Sequence, residues 1–118
     1  MSANVSFGQN SHFKMGWIIL LVIAALMTLG HFGLIFFFMD ERVLFAGLAA
    51  ANLYAFIAIY TAFRRGEKWA WVVTWTLPGL ALLIAATVPS IAIYYYGVAA
   101  ICVLGLLFTM RDFYSQAR

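Results

Sequence analysis

The chain has 118 residues, of which 66% are hydrophobic and only 9% charged, with a formal net charge of +3 and a mean hydropathy of +0.98. A water-soluble domain is typically about half apolar and about a quarter charged, so this composition excludes a soluble enzyme, a nucleic-acid-binding domain and a disordered chain. One crossing of the hydrocarbon core takes roughly 20 apolar residues, so the apolar share provides about four crossings and leaves nothing for a soluble domain.

In chain order, Met1 to Ser11 is polar, with no basic cluster ahead of the first apolar run. That run is longer than a signal-peptide core and no Ala-x-Ala-like site follows it, which predicts that it is retained. The first span covers about 16–39 and stops at Asp40-Glu41-Arg42; the second covers about 43–63 and stops at Arg64-Arg65-Gly66-Glu67-Lys68. The third covers about 69–88, before Pro89-Ser90, and the fourth about 91–110, before Arg111-Asp112. Each is about twice the length of a membrane β-strand, and in lipid the backbone must satisfy its own hydrogen bonds, so the spans should be helices. Short connections impose an up-down-up-down order. The expected fold is therefore all-α, an integral-membrane four-helix bundle forming a single transmembrane domain over residues 1–118.

With four crossings, the termini and the 64–68 loop share one side. That side carries Lys14, Arg64, Arg65, Lys68, Arg111 and Arg118, against Arg42 on the other, where Asp40 and Glu41 also lie. Positive charge concentrates in cytoplasmic loops, which predicts that both termini are cytoplasmic and the protein multi-pass in the plasma (inner) membrane. Trp17, Trp69 and Trp71 fit an inner aromatic belt, and Tyr94, Tyr95 and Tyr96 an outer one. Arg64, Arg65 and Lys68 should reach anionic headgroups, with Trp69 and Trp71 as interfacial anchors.

Association in lipid relies on close packing and hydrogen bonds, because lipid tails are as apolar as leucine. Gly47, Ala51, Ala55, Ala58 and Ala62 lay a stripe of small residues along one face of the second helix, a helix-packing face used either within the bundle or for docking another subunit. Gly30, Gly33, Gly97 and Gly105 offer similar approaches. Pro78 predicts a kink in the third helix, where a Thr74 or Thr76 hydroxyl can bond to nearby carbonyls.

Strongly polar residues at depth are few. His31 and Asn52 fall roughly 12–14 Å below the outer boundary at about 1.5 Å per residue, so they can meet, and Thr28 lies on the His31 face of the first helix. Thr28, His31 and Asn52 form the candidate binding cluster. His31 reads either as a structural hydrogen-bonding residue, as an axial ligand of a haem or chlorophyll, or as part of a transport pathway. A two-haem cytochrome needs paired ligands, and the other histidine, His12, precedes the first span. The carboxylates Asp40, Glu41, Glu67 and Asp112 all sit at span ends, which disfavours proton-coupled export and a metal site. Cys102 is the single cysteine, excluding an intrachain disulfide and a Cys-x-x-Cys redox pair. No cofactor is specified.

The segment Phe63-Arg64-Arg65-Gly66-Glu67-Lys68-Trp69-Ala70-Trp71, followed by Trp75 and Pro78, resembles a turn in uncharacterised small four-helix bacterial membrane proteins. There an Arg-Arg-Gly-Glu-basic-Trp-Ala-Trp turn joins the second and third helices. The resemblance covers about 16 residues, with the remainder similar only in hydropathy, and implies a four-span fold without an activity. Gly66 should end the second helix in a left-handed conformation.

The expected function is non-catalytic: a small accessory or structural subunit packing against a larger respiratory or photosynthetic membrane complex, with lipids and other membrane subunits as partners and no nucleic acid. The alternative is a module that binds or transports a lipid, quinone, pigment or ion near His31 and Asn52. An enzyme ranks third, because no nucleophile–base pair or metal cluster is visible.

Overall fold

The structure, a computed structural model, describes residues 11–115. The polar segment before Ser11 and the cation Arg118 lie outside the described residues. Among the described residues, five α-helices build the bundle: α1 (Ser11–Phe37), α2 (Arg42–Ala58), α3 (Lys68–Thr74), α4 (Thr76–Thr87) and α5 (Ala92–Ser115). With their adjoining turns they make four helical runs long and apolar enough to cross a membrane: Ser11–Phe37, Met39–Phe63, Lys68–Thr87 and Pro89–Tyr114. The first starts about five residues ahead of its expected boundary and α5 runs about five past its own. Phe13 and Phe113 explain the extra turns, since both are buried in the core there, and a helix continues through polar residues while one face still packs.

Each break follows local chemistry. Beyond α2 the chain widens into a π turn (Ile59–Phe63), with the Arg64 N–H donating to the Ile59 carbonyl at 3.0 Å. Gly66 then adopts φ 82°, as expected. Its N–H donates to the Phe63 carbonyl and that of Glu67 to the Ala62 carbonyl, the paired bonds that close a helix through a left-handed residue. The third span breaks at Trp75, one turn ahead of Pro78, so proline occupies the first turn of α4, where its missing N–H costs nothing. The Thr74 hydroxyl donates back to the Ala70 carbonyl at 2.6 Å.

The two hairpins repeat each other at a spacing of fifty residues (88 minus 38). Phe38 (φ −122°, ψ 74°) and Val88 (φ −128°, ψ 84°) hold the same conformation, each leading into a three-residue 3-10 turn, Met39–Glu41 and Pro89–Ile91. At this offset Phe45 matches Tyr95, Ala49 matches Ala99, Asn52 matches Cys102 and Phe63 matches Phe113, and every one of them is buried. Equal arms joined by equal turns present the same helix face inward. Packing between the hairpins is nevertheless uneven: α1 lies against both α2 and α5, whereas α2 meets α3 and α4 only sparsely.

At the end of the bundle holding Ser11 and the 64–68 turn, one side chain from each span closes the core. Phe13 and Phe63 are nearly parallel with centroids 6.0 Å apart, Phe63 meets Phe113 edge-on at 4.9 Å, and Trp71 lies 6.2 Å from Phe113. Just inside this plug, α1 and α5 approach most closely. A Cβ on Gly16 would lie 2.5 Å from Thr109 Cγ2 and 2.8 Å from the Gly105 carbonyl oxygen, and one on Gly105 would lie 3.0 Å from Leu20 Cγ. The two glycines are the close contact of the fold.

The expected small-residue stripe on α2 is only partly a packing face. Ala55, Ala58 and Ala62 are buried, Ala51 is half-buried, and Gly47 is exposed with nothing near its missing Cβ. Toward the 38–41 turn the buried line instead runs through Phe45, Leu48, Ala49 and Asn52. The five-residue stripe drifts around the helix because its mean spacing exceeds 3.6 residues. Gly30, Gly33 and Gly97 likewise face open space, so of the four additional glycines singled out, Gly105 alone makes a close approach.

Gly16→Val or Gly105→Val should therefore lower stability by about 1–3 kcal/mol through overpacking, whereas Gly30→Val and Gly33→Val, which meet open space, should not. Thermal unfolding of the purified variants in mild detergent checks this. Equal shifts for the two pairs would remove the α1–α5 approach as a determinant of the fold.

Candidate functional site

Inside the half of the bundle that holds the 38–41 and 88–91 turns, His31 of α1 faces Asn52 of α2 and Tyr95 of α5. They are 2%, 4% and 9% exposed. The Asn52 amide nitrogen donates to the Leu48 carbonyl at 2.7 Å and lies 3.2 Å from His31 Nδ1. An amide nitrogen only donates, so Nδ1 accepts, and the ring proton resides on Nε2. From there it is donated to the Tyr95 hydroxyl oxygen, 2.8 Å away. The His31 and Tyr95 ring planes are within 13° of each other with centroids 6.1 Å apart, which fits rings joined end to end through this bond. Phe45 lies 6.2 Å from the imidazole at 20°. Tyr95 and Phe45 are the positions related by the fifty-residue repeat, so the second helix of each hairpin supplies one ring to the same histidine.

This arrangement engages both ring nitrogens of His31. Axial ligation uses a lone pair on a ring nitrogen. Here both ring nitrogens are engaged, by Asn52 and Tyr95, so a macrocycle metal would have to displace an existing bond. The geometry is that of an interhelical polar clamp linking three spans. Among the described residues, every buried side-chain nitrogen and oxygen has a partner, and no group of three or more His, Cys, Asp or Glu comes together as a metal site would require.

The expected pairing of His31 with Asn52 is present, and Thr28 stands apart from it. The Thr28 hydroxyl donates to the Ala24 carbonyl at 2.7 Å, satisfied within its own helix as intramembrane threonines often are. Thr28 instead lines a shallow apolar groove of about 210 Å³ together with Ala25, Leu29, Leu53 and Phe56, between α1 and α2. The missed member of the cluster is Tyr95, which the sequence places with Tyr94 and Tyr96 in an aromatic belt. Tyr94 and Tyr96 are indeed exposed, but helical rotation turns the middle residue inward. The signal was available: Tyr95, Ala99, Cys102 and Leu106 follow helical spacing and are all buried.

At the other end, the proposed anchors also divide. Trp69 is exposed, with its indole N–H donating to Glu67 Oε2 at 2.5 Å. Trp71 is buried rather than interfacial, and its N–H lies 3.2 Å from both the Leu106 carbonyl and the Thr109 hydroxyl oxygen. Two residues advance a helix by about 200°, so Trp69 and Trp71 cannot share a face. Arg65 pairs with Glu67 at 2.8 Å. Arg64 lies over the Tyr60 ring, 4.5 Å from its centroid, and the Lys68 ammonium 5.9 Å from that of Tyr114.

Comparison with family models finds no match, and comparisons with curated proteins and with solved structures likewise find none.

A double-mutant cycle between His31→Ala and Tyr95→Phe should give a coupling of about 0.6–1.7 kcal/mol, the range of interhelical hydrogen bonds in membrane proteins. The cycle between His31→Ala and Thr28→Val should give a value near zero. Unfolding in detergent provides the measurement; comparable couplings in both cycles would contradict the assigned cluster.

Proposed function

We propose that this chain is a non-catalytic integral membrane protein of the plasma membrane, an accessory subunit that packs against a larger respiratory or photosynthetic complex. The observation that carries this reading is the engagement of His31: its two ring nitrogens are held by Asn52 and Tyr95. The strongest polar site of the bundle thus stabilises the bundle itself. A second observation points the same way. Gly30, Gly33 and Gly47 meet nothing within 4 Å, so α1 and α2 carry small residues on their outer surface, where a partner helix can approach closely.

In this reading the termini and the 64–68 turn are cytoplasmic. Among the described residues that end carries Lys14, Arg64, Arg65, Lys68 and Arg111 against Glu67 and Asp112, while the opposite end carries Arg42 against Asp40 and Glu41. The basic excess supports this orientation. The groove at Ala25, Thr28, Leu29, Leu53 and Phe56 supports a second reading, in which the protein binds a small apolar molecule. In that reading the small molecule lies along the outside of the α1–α2 hairpin, at these lining residues rather than at His31.

Two measurements test these readings. Native mass spectrometry from mild detergent should show stoichiometric larger subunits, and Gly47→Leu should release them while leaving thermal stability within about 0.5 kcal/mol, as for a surface change. A lone chain carrying a small molecule would favour the groove reading. For orientation, single cysteines at Ser90 and Arg65 in a Cys102→Ala background should be labelled from outside intact cells at Ser90 only. Labelling at position 65 would reverse the topology.

A further inference from the structure

A line of side chains leads from the apolar α1–α2 groove to a cation. Phe56 lines the groove with Ala25, Thr28, Leu29 and Leu53. Four residues on, the Tyr60 ring is parallel to that of Phe56 within 5°, with centroids 6.5 Å apart. After four more, the Arg64 guanidinium lies over the Tyr60 ring, 4.5 Å from its centroid. Groove, rings and cation thus form one column, and Leu53 and Tyr60 are each about half exposed along it. Lys68 belongs to a different side: its ring partner Tyr114 lies against Trp71, with centroids 5.4 Å apart.

Arg64 keeps its charge at the head of this column. Glu67, the carboxylate of the same turn, is held by Arg65 at 2.8 Å and by the Trp69 indole, and among the described residues no carboxylate pairs with Arg64. A ring face orients a guanidinium and covers one side of it without cancelling its charge, so its in-plane N–H donors remain open to the paired oxygens of a phosphate. The groove makes the opposite demand. Its one hydroxyl, that of Thr28, donates to the Ala24 carbonyl, and the rest of the lining offers only carbon. At about 210 Å³ it is smaller than the roughly 300–1,000 Å³ of sites that enclose a compact small molecule. A shallow apolar channel of that size suits a hydrocarbon chain lying along it with the polar end outside.

We propose that this column is a binding site for an anionic glycerophospholipid, in which Arg64 holds the headgroup phosphate, Tyr60 positions the guanidinium, and one acyl chain passes Phe56 into the α1–α2 groove. The inference rests on the groove reading given above and names its ligand; it is independent of any partner complex.

The test uses the full chain in non-ionic detergent, titrated with phosphatidylglycerol or phosphatidylcholine and read by native mass spectrometry. Wild type should bind phosphatidylglycerol about fivefold more tightly, the effect of one basic residue at an anionic surface, and Arg64→Gln should remove that preference. Arg65→Gln, whose charge is already paired, and Lys68→Gln, on the other side, should each keep it within about twofold. Tyr60→Leu, which leaves every charge in place, should weaken phosphatidylglycerol binding. Ala25→Leu and Thr28→Leu, two independent ways of filling the groove, should weaken both lipids alike, and thermal unfolding without lipid verifies that each variant is folded. Equal losses at Arg64, Arg65 and Lys68 would reduce the effect to general charge attraction and overturn the site. So would equal wild-type affinity for the two lipids, or competition by inorganic phosphate at matched concentration, which would identify a free-phosphate site. Groove variants that weaken both lipids while Arg64→Gln changes nothing would overturn this inference and leave the groove reading standing; groove variants without effect would overturn both.

Discussion

Buried polar atoms must find partners inside this bundle, and the arrangement of the helices follows from that constraint. A polar group left unpaired in hydrocarbon costs several kcal/mol, more than any single interhelical hydrogen bond returns. Among the described residues, every buried side-chain nitrogen and oxygen is accordingly matched inside the protein. Thr28, Thr74 and Thr109 bond to carbonyls of their own helices, Trp71 reaches across to Leu106 and Thr109 on α5, and His31 draws Asn52 and Tyr95 together from two further helices. The last two sets tie separate spans to one another. They sit toward opposite ends, Trp71 near the 64–68 turn and His31 toward the 38–41 and 88–91 turns, so the bundle is pinned at two levels.

Between these levels, shape takes over from polarity. Gly16 and Gly105 let α1 and α5 come nearly into backbone contact, and the aromatic plug of Phe13, Phe63, Phe113 and Trp71 fills the widening space beyond. The fifty-residue repeat means that both hairpins offer the same inward face, yet they fill it differently: Asn52 and Phe45 in one correspond to Cys102 and Tyr95 in the other. Those two replacements turn a nearly symmetric pair of hairpins into one with a single polar clamp. Tyr95 differs from Phe45 in carrying a hydroxyl, and that hydroxyl is what His31 bonds.

The same accounting separates surfaces engaged in holding the fold from those left for partners. His31, Asn52, Tyr95, Trp71 and Arg65 each have their polar groups committed to another part of the chain. What stays open is at the periphery: outward glycines on α1 and α2, a shallow apolar groove between them, and two cations poised over tyrosine rings at the basic end. The proposed function draws on features of this kind.

The sequence by itself determined the four apolar helical runs, the positions of their turns, the left-handed Gly66 and the break near Pro78, because each depends on composition or on backbone geometry within a few residues. It also brought His31 and Asn52 to the same depth, since short turns make depth a matter of counting along the helix. Rotation about the helix axis is different. With apolar residues on every side, no hydrophobic face distinguishes inside from lipid, and the phase of each helix follows from how side chains of other helices fit against it. That is why Tyr95 and Trp71 turn inward although their neighbours face out, why Gly47 points away from the bundle while Ala49 packs within it, and why Gly16 proved to be the close-contact residue. Thr28 shares a helix face with His31 but bonds to its own backbone, a choice of rotamer that spacing cannot reveal. Tertiary packing decided these positions, because only the neighbouring helix supplies the atom that makes one rotation better than another.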